Sequence, residues 1–406
     1  MLRDGTQLTN LYTLPTCTPS RSALMTGRYP FRFGLQRGYG DMAPNGLPTG
    51  IKLLPSYLKD LGYSTHALGK WHLGHCDQRY TPTLRGFDTF LGSVTGATDH
   101  WSRDGGTVHN RGYDFRNNTV ETHHGEGKLS SKLFSDEARK IMKKKSEKPY
   151  FLYLAFTMIH SPFQDVSKNS RPVKHVTKDV RNGMIKALDN AVGEILKAVD
   201  ENTVVIFMSD NGGRNFPEEN IRPNLPLRGG KAEVYEGGTK VVGYIQGPGI
   251  RRRVQYDGLM HMVDWLPTLL SLAGADQNDV SEEVDGVNMM SAIVSGDKSP
   301  RRDMVYNIDE RNFHDGPGAS DAVWQYAVRR GDLKLIWGEP RKLSRPEGRS
   351  RNSRYLLKLY DLHNDQNEQV NLAQDEEYKH KLEELKSWSL KLASEMVLEI
   401  QKSILE

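Results

Sequence analysis

Three uninterrupted apolar runs constrain this chain most: Phe151-Leu152-Tyr153-Leu154-Ala155-Phe156, Val204-Val205-Ile206-Phe207-Met208 and Val241-Val242-Gly243-Tyr244-Ile245. A strand with one wet face alternates apolar and polar residues. A continuous apolar run instead predicts a strand buried on both faces, in a sheet with helices on each side. Between the first two runs, Val180, Met184, Leu188, Ala191, Ile195 and Val199 recur at helical spacing, with Thr177 placed to cap. Strand, long helix and strand form a crossover unit, which predicts an α/β fold. Residues 53–61, 132–145 and 262–273 also read as helices, and Ser64 to Leu68 as a short strand.

The texture changes near residue 295, which predicts a catalytic domain over 1–295 and a smaller subdomain over 296–406. In the latter, strand-like runs cover 304–308, 324–329, 333–337 and 356–360. Arg330-Gly331-Asp332 reads as a hairpin turn between the middle two. Residues 341–354 read as a basic surface loop and 376–404 as a closing helix. The expected subdomain is therefore an antiparallel sheet plus one helix.

With 37% hydrophobic and 26% charged residues, the 406-residue chain can bury a sizeable core. A net charge of +4 suits an acidic small-molecule substrate, but its short basic runs do not indicate nucleic acid. No apolar run is long enough to span a membrane, and the polar start shows no signal peptide. Two cysteines, Cys17 and Cys76, exclude a disulfide scaffold. Asn117-Asn118-Thr119 is a lone glycosylation sequon.

Five motifs carry chemistry. The first is Cys17-Thr18-Pro19-Ser20-Arg21, continuing through Thr26-Gly27-Arg28. The second is Gly69-Lys70-Trp71-His72-Leu73-Gly74, at the end of a strand-like run. There residues two apart share a face, so Lys70 and His72 aim a cation and a proton shuttle into one pocket. The third, His160-Ser161-Pro162, follows a strand, where open α/β sheets place ligands. The fourth, Asp210-Asn211-Gly212-Gly213, offers hard oxygens to a divalent cation, or an ordinary Asx turn. The fifth runs from Pro226 to Gly238 around Lys231, with glycine pairs that let backbone approach a ligand. Taken singly, Lys231 is a surface lysine; His100, His109, His123 and His124 offer a pocket lining, but read first as solvent-exposed loop residues.

Taken together, Cys17 with Pro19 and Arg21, and the four motifs after it, resemble the sulfatase family, and most of all arylsulfatase B and its near relatives. His261-Met262-Val263-Asp264-Trp265-Leu266-Pro267, Tyr306-Asn307-Ile308-Asp309 and Leu359-Tyr360-Asp361-Leu362 extend the likeness over nearly the whole chain. The resemblance implies an alkaline-phosphatase-like mixed sheet flanked by helices. It implies that a formylglycine-generating enzyme oxidises Cys17 to formylglycine, whose hydrate attacks sulfur and then expels sulfate. It assigns Arg21 and Lys70 to the formylglycine and sulfate, His72 to the elimination base, His160 to the leaving alcohol and Lys231 to the sulfate. It assigns Cys17, Asp210 and Asn211 to calcium. The expected substrates are aryl sulfates or sulfated sugars, such as N-acetylgalactosamine 4-sulfate in glycosaminoglycans, and the expected address is lysosomal or secreted.

Sulfatases open with a buried strand ending in an Asp-Asp pair, upstream of the cysteine. Here Cys17 lies sixteen residues after Met1 and the sole upstream acid is Asp4. The comparison therefore implies that a central strand and two metal ligands are missing, with weak calcium binding, poor activity and marginal stability. It leaves a catalytically impaired, glycan-binding chain as the alternative to an active enzyme.

Overall fold

The computed structural model describes residues 4–106, 111–144, 146–309, 326–338 and 356–397. The expected α/β architecture is present, but the large sheet is divided. In one part, β1 (Thr6–Tyr12) is central. It pairs in parallel with Val254–Tyr256 and Met260–His261, and antiparallel with Lys240–Gln246. The latter pairs antiparallel with Val205–Met208 at the edge. The other part has β2 (Ser64–Lys70) between β3 (Thr89–Ser93) and β4 (Tyr150–Ala155), all parallel. Arg116–Asn117 and Val120–Glu121 extend it beyond β3.

No ladder joins the two parts among the described residues. We label the facing edge of the first β5 (Val205–Met208), and the strand beside it β6 (Lys240–Gln246). The edges β4 and β5 line one cavity of about 1840 Å³. This corrects the expectation of burial on both faces: all four residues of β5 are half-buried, as are Tyr150 to Leu154 of β4. The apolar pattern is a strand signal; an open edge leaves those side chains partly wet. β1 was not read from the sequence, because Thr6, Gln7, Thr9 and Asn10 break its apolar run.

The helix linking β4 to β5, Lys178–Leu196, starts where expected: the Thr177 hydroxyl accepts the Val180 N–H at 3.2 Å. The stretch 262–273 is a 3₁₀ turn followed by Trp265–Leu272. The small antiparallel sheet contains β7 (Asp303–Ile308), β8 (Tyr326–Arg330), β9 (Leu333–Gly338) and β10 (Leu356–Asp361), in that spatial order. Its turn at Gly331 takes φ 57°, which suits glycine. The closing helix Lys379–Ala393 packs on it through Leu382 and Leu385, in the same apolar core as Leu8, Trp71 and Trp265. The basic loop 341–354 and residues 398–404 of the expected helix lie outside the described residues. No helix among the described residues is long and apolar enough to cross a membrane.

Candidate active site

Apart from Arg21, inside a helix, and Lys231, in a loop, the expected site residues sit at or after the ends of elements, near one end of the two sheet parts. After β1 the chain turns directly into helix α1 (Cys17–Thr26). Thr16 is extended and caps nothing with its side chain, and the first turn holds no acid, so the positive end of the helix faces the Cys17 side chain. Gly27 ends the helix at φ 66°, returning its N–H to the Ala23 carbonyl at 2.8 Å. Arg21, one turn beyond Cys17, lies on the same helix face.

Lys70 is the last residue of β2 and His72 follows it. The alternation expected for the pair does not hold: His72 has φ 61°, outside strand geometry. The two nevertheless converge. The His72 N–H bonds the Val94 carbonyl, and Thr18 Oγ1 donates to the His72 carbonyl at 3.0 Å, which fixes the turn. His160 follows β4, Asp210 and Asn211 follow β5, and Lys231 lies in the loop before β6. That loop is stitched to its neighbours by backbone bonds: Lys231 N–H to the Gly213 carbonyl (3.0 Å) and Ala232 N–H to the Pro15 carbonyl (2.8 Å).

The Cys17 Sγ–H donates to Asn211 Oδ1 at 3.4 Å. Burial and Asp210 push this thiol up, but Lys70, with the His160 and His72 side chains beside it, outweighs them, so its pKa falls well below the ordinary value. Arg21 crosses between the sheet parts. Nε and Nη2 donate to Asp210 Oδ2 at 3.0 and 2.8 Å, and Nη1 donates to the Lys70 carbonyl (2.8 Å) and Tyr153 Oη (3.0 Å). Burial raises the Asp210 carboxyl, yet Arg21, Lys70 and Lys231 hold it far below the carboxylate range. Burial, with Arg21 and Lys231, lowers Lys70.

Geometry assigns both imidazoles. A carbonyl only accepts, so the bond from His72 Nε2 to the Tyr39 carbonyl (3.0 Å) puts the proton on Nε2. His72 Nδ1 is then a bare acceptor with no partner satisfying hydrogen-bond geometry, and Cys17 is the side chain that bonds electrostatically to the ring. Burial and Lys70 lower the His72 pKa, which keeps the ring neutral. For His160, Nδ1 donates to the Ser161 carbonyl (2.9 Å) and Nε2 accepts from the Lys231 ammonium (2.8 Å).

Sequence reasoning missed three supports. His100 is fully buried, against the expectation of an exposed loop residue. Its Nε2–H holds the His160 carbonyl at 3.1 Å and its Nδ1 meets Ser130 Oγ at 3.2 Å; burial lowers its pKa to about 4. Gly96 packs on the His72 ring, where an added Cβ would stand 2.7 Å from Cε1. Tyr153 steadies Arg21. Nothing in the spacing of these residues marks them, because each acts through a fold-made contact. His123 and His124 are exposed as expected, and His109 lies outside the described residues. Cys76 is exposed.

The sulfatase family model matches residues 1–275. Mouse (Mus musculus) arylsulfatase J is 35% identical over 359 residues, covering 83% of this chain and 59% of that protein. Human (Homo sapiens) N-acetylgalactosamine-6-sulfatase is 30% identical over 335 residues, covering 76% and 63%. The chain thus spans about three-fifths of the length of these curated relatives. A crystal structure of Ps i-CgsB in complex with k-i-k-neocarrahexaose superposes with TM-score 0.77 at 25% identity, over 99% of this chain and 87% of that one. The PsFucS1 sulfatase from Pseudoalteromonas sp. shares the fold, with TM-score 0.72 at 22% identity, over 97% and 83%. Since the family model spans well over half the sequence and the signature residues meet at one centre, this chain belongs to the sulfatase family.

Proposed function

We propose that the chain is a sulfuric ester hydrolase acting on sulfated sugars or aryl sulfates, with Cys17 oxidised to formylglycine by a formylglycine-generating enzyme. The observation that carries this reading is the bare Nδ1 of His72 beside Cys17, ringed by Arg21, Lys70 and Lys231. The aldehyde hydrate at position 17 supplies two hydroxyls on one carbon, one to attack sulfur and one whose deprotonation expels sulfate.

The chain's own residues do the rest. Lys70 and Lys231 bind the sulfate oxygens and neutralise the charge that develops there. Arg21 orients Asp210 and steadies negative charge at position 17. His72 Nδ1 takes the proton released in the expulsion step, while its Nε2–H stays on Tyr39. Because His160 Nε2 already accepts from Lys231, the proton for the leaving alcohol stands on the ammonium, with His160 as its partner. This refines the expected assignment of the acid to His160 alone.

Asp210 and Asn211 offer the hard oxygens a calcium ion takes. One Asp210 oxygen is engaged by Arg21, and no group of three or more His, Cys, Asp or Glu side chains among the described residues could hold a metal. Even with position 17 as a third ligand, they fall short of the six to eight oxygens calcium takes, so these residues alone do not fit the ion and no step is routed through it. That shortfall favours a second reading, a catalytically impaired chain that binds sulfated glycans. A lysosomal or secreted address belongs to the same proposal.

The test is peptide mass analysis of residue 17 after expression with the maturation enzyme, followed by turnover of 4-nitrophenyl sulfate against 4-nitrophenyl phosphate. Formylglycine with sulfate-selective turnover supports the proposal. A free thiol, or preference for phosphate, overturns it; formylglycine without turnover leaves the second reading.

A further inference from the structure

A second cluster of buried charge lies away from the reaction centre, at the join with the small sheet. Lys334, in β9, is fully buried. Its ammonium meets Glu236 Oε1 at 2.9 Å and Glu368 Oε1 at 2.8 Å, and both carboxylates are themselves buried. Tyr12 and Tyr306 donate to Glu236 at 2.7 and 3.0 Å, and Arg329 donates to Tyr12 at 2.8 Å. Burial raises Glu236, but Lys334 and Tyr12 hold it below its ordinary value; burial, with Glu236, raises Glu368. Removing so much charge from water is costly, and such groups persist only with near-complete pairing. No step of the proposed reaction uses them.

Their backbone connections show what they hold. The Glu236 N–H donates to Glu368 Oε2 at 2.8 Å, and Arg228 Nη1 to the Glu368 carbonyl at 3.0 Å. Glu368 keeps φ 57° to make both contacts. The Gly237 N–H closes on the Arg228 carbonyl (2.7 Å), and the Gly238 carbonyl accepts from Gly212, next to Asn211 (2.8 Å). Residues 228–238 thus form a closed loop, pinned at its base by the charge cluster and at its tip by Pro15 and Gly213. At that tip Ala232 has φ 74°, an uncommon conformation for a residue with a Cβ. Such a conformation survives where the surroundings over-determine it. Lys231 is its immediate neighbour.

We infer that Lys334, clamping Glu236 and Glu368, is a positioning residue: the C-terminal sheet sets the 228–238 loop and thereby holds the Lys231 ammonium against His160. The contact with His160 stands on geometry alone; the effect on turnover rests on the sulfatase reading.

The experiment compares wild type, Lys334→Met, Lys334→Arg and Leu335→Ala. Leu335 is equally buried in the next position of the same strand, where alternation puts its side chain on the opposite face, in the apolar core, so it controls for lost stability. The readout independent of turnover is the ¹⁵N resonance of His160 Nε2, which accepts from an ammonium in the wild type. In Lys334→Met that resonance moves toward the value of a free imidazole nitrogen, Lys334→Arg restores part of the shift, and Leu335→Ala leaves it in place while lowering the melting temperature. Where the enzyme turns over, kcat/KM of Lys334→Met falls about tenfold to a hundredfold, the scale of a misplacement near 1 Å. An unmoved resonance in Lys334→Met, or an equal shift in Leu335→Ala, overturns the inference. A shifted resonance in a chain that cleaves no sulfate ester supports it and counts against the sulfatase reading alone.

Discussion

Arg21 gives the sharpest test of how the site is held. Its side chain is 7% exposed and that of Asp210 26%, so the pair is largely shielded from solvent. Arg21→Met deletes four hydrogen bonds, two of them to the carboxylate. Breaking one partner of a buried pair costs about 3–5 kcal/mol, and we expect the lower end of that range here, because Lys70 and Lys231 still face Asp210. Asp210→Asn leaves Arg21 an amide oxygen to bond and should cost less. The double variant should cost about 1–3 kcal/mol less than the sum, the coupling expected of contacting residues. Denaturant unfolding of the four proteins at pH 7 measures this.

The pH dependence has a definite sign. Arg21, with Lys70 and Lys231, holds the folded Asp210 carboxyl below its unfolded value of about 3.9. The pair therefore stabilises the native state above that value, and the contribution is lost as the pH falls through the folded value. Between pH 5 and 2.5 the wild type should lose more stability than Arg21→Met does. Unfolding free energies within 0.5 kcal/mol of each other, or parallel pH curves, would refute the account.

Other outcomes follow from the same contacts. Gly96→Ala should lower kcat about tenfold or more by pushing the His72 ring, with little change in melting temperature, since Gly96 has no positive φ; unchanged turnover would show that the ring has room to shift. In unmodified protein, Lys70→Met should move iodoacetamide labelling of Cys17 to higher pH, because Lys70 lowers the thiol; equal pH profiles for the two proteins would exclude that role. Burial holds His100 neutral down to about pH 4, below the unfolded value of about 6.5, so its contribution is present above 6.5 and erodes as the pH falls toward 4; His100→Gln should flatten that segment of the stability curve. Val205→Lys, on the open edge of β5, should reduce self-association measured by light scattering.

Much of this was legible in the sequence because it depends on local pattern. The helix Lys178–Leu196 and its Thr177 cap follow from spacing and one hydroxyl, and the hairpin at Gly331 from a turn residue. The site residues were legible as motifs at strand ends. The rest depends on non-local contacts. β1 is held in place by partners about 230–250 positions away, so its mixed pattern carried little signal. His100 looked like a loop histidine because its partners, Ser130 and His160, lie 30 and 60 residues downstream. Lys334 alternates within an ordinary strand pattern, and only Glu236 and Glu368 reveal why a lysine is tolerated there.

The division of the large sheet has a last consequence. Cys17, Asp210 and Lys231 hang from one ladder, and Lys70, His72 and His160 from the other. What spans the seam here is side-chain contact: Arg21 to the Lys70 carbonyl, and Lys231 to His160. A tetrahedral oxyanion gripped from both banks becomes a rivet, and saturating it at a hundred times its dissociation constant adds about 2.7 kcal/mol to the folded state. Whatever the reaction centre grasps, it also mends.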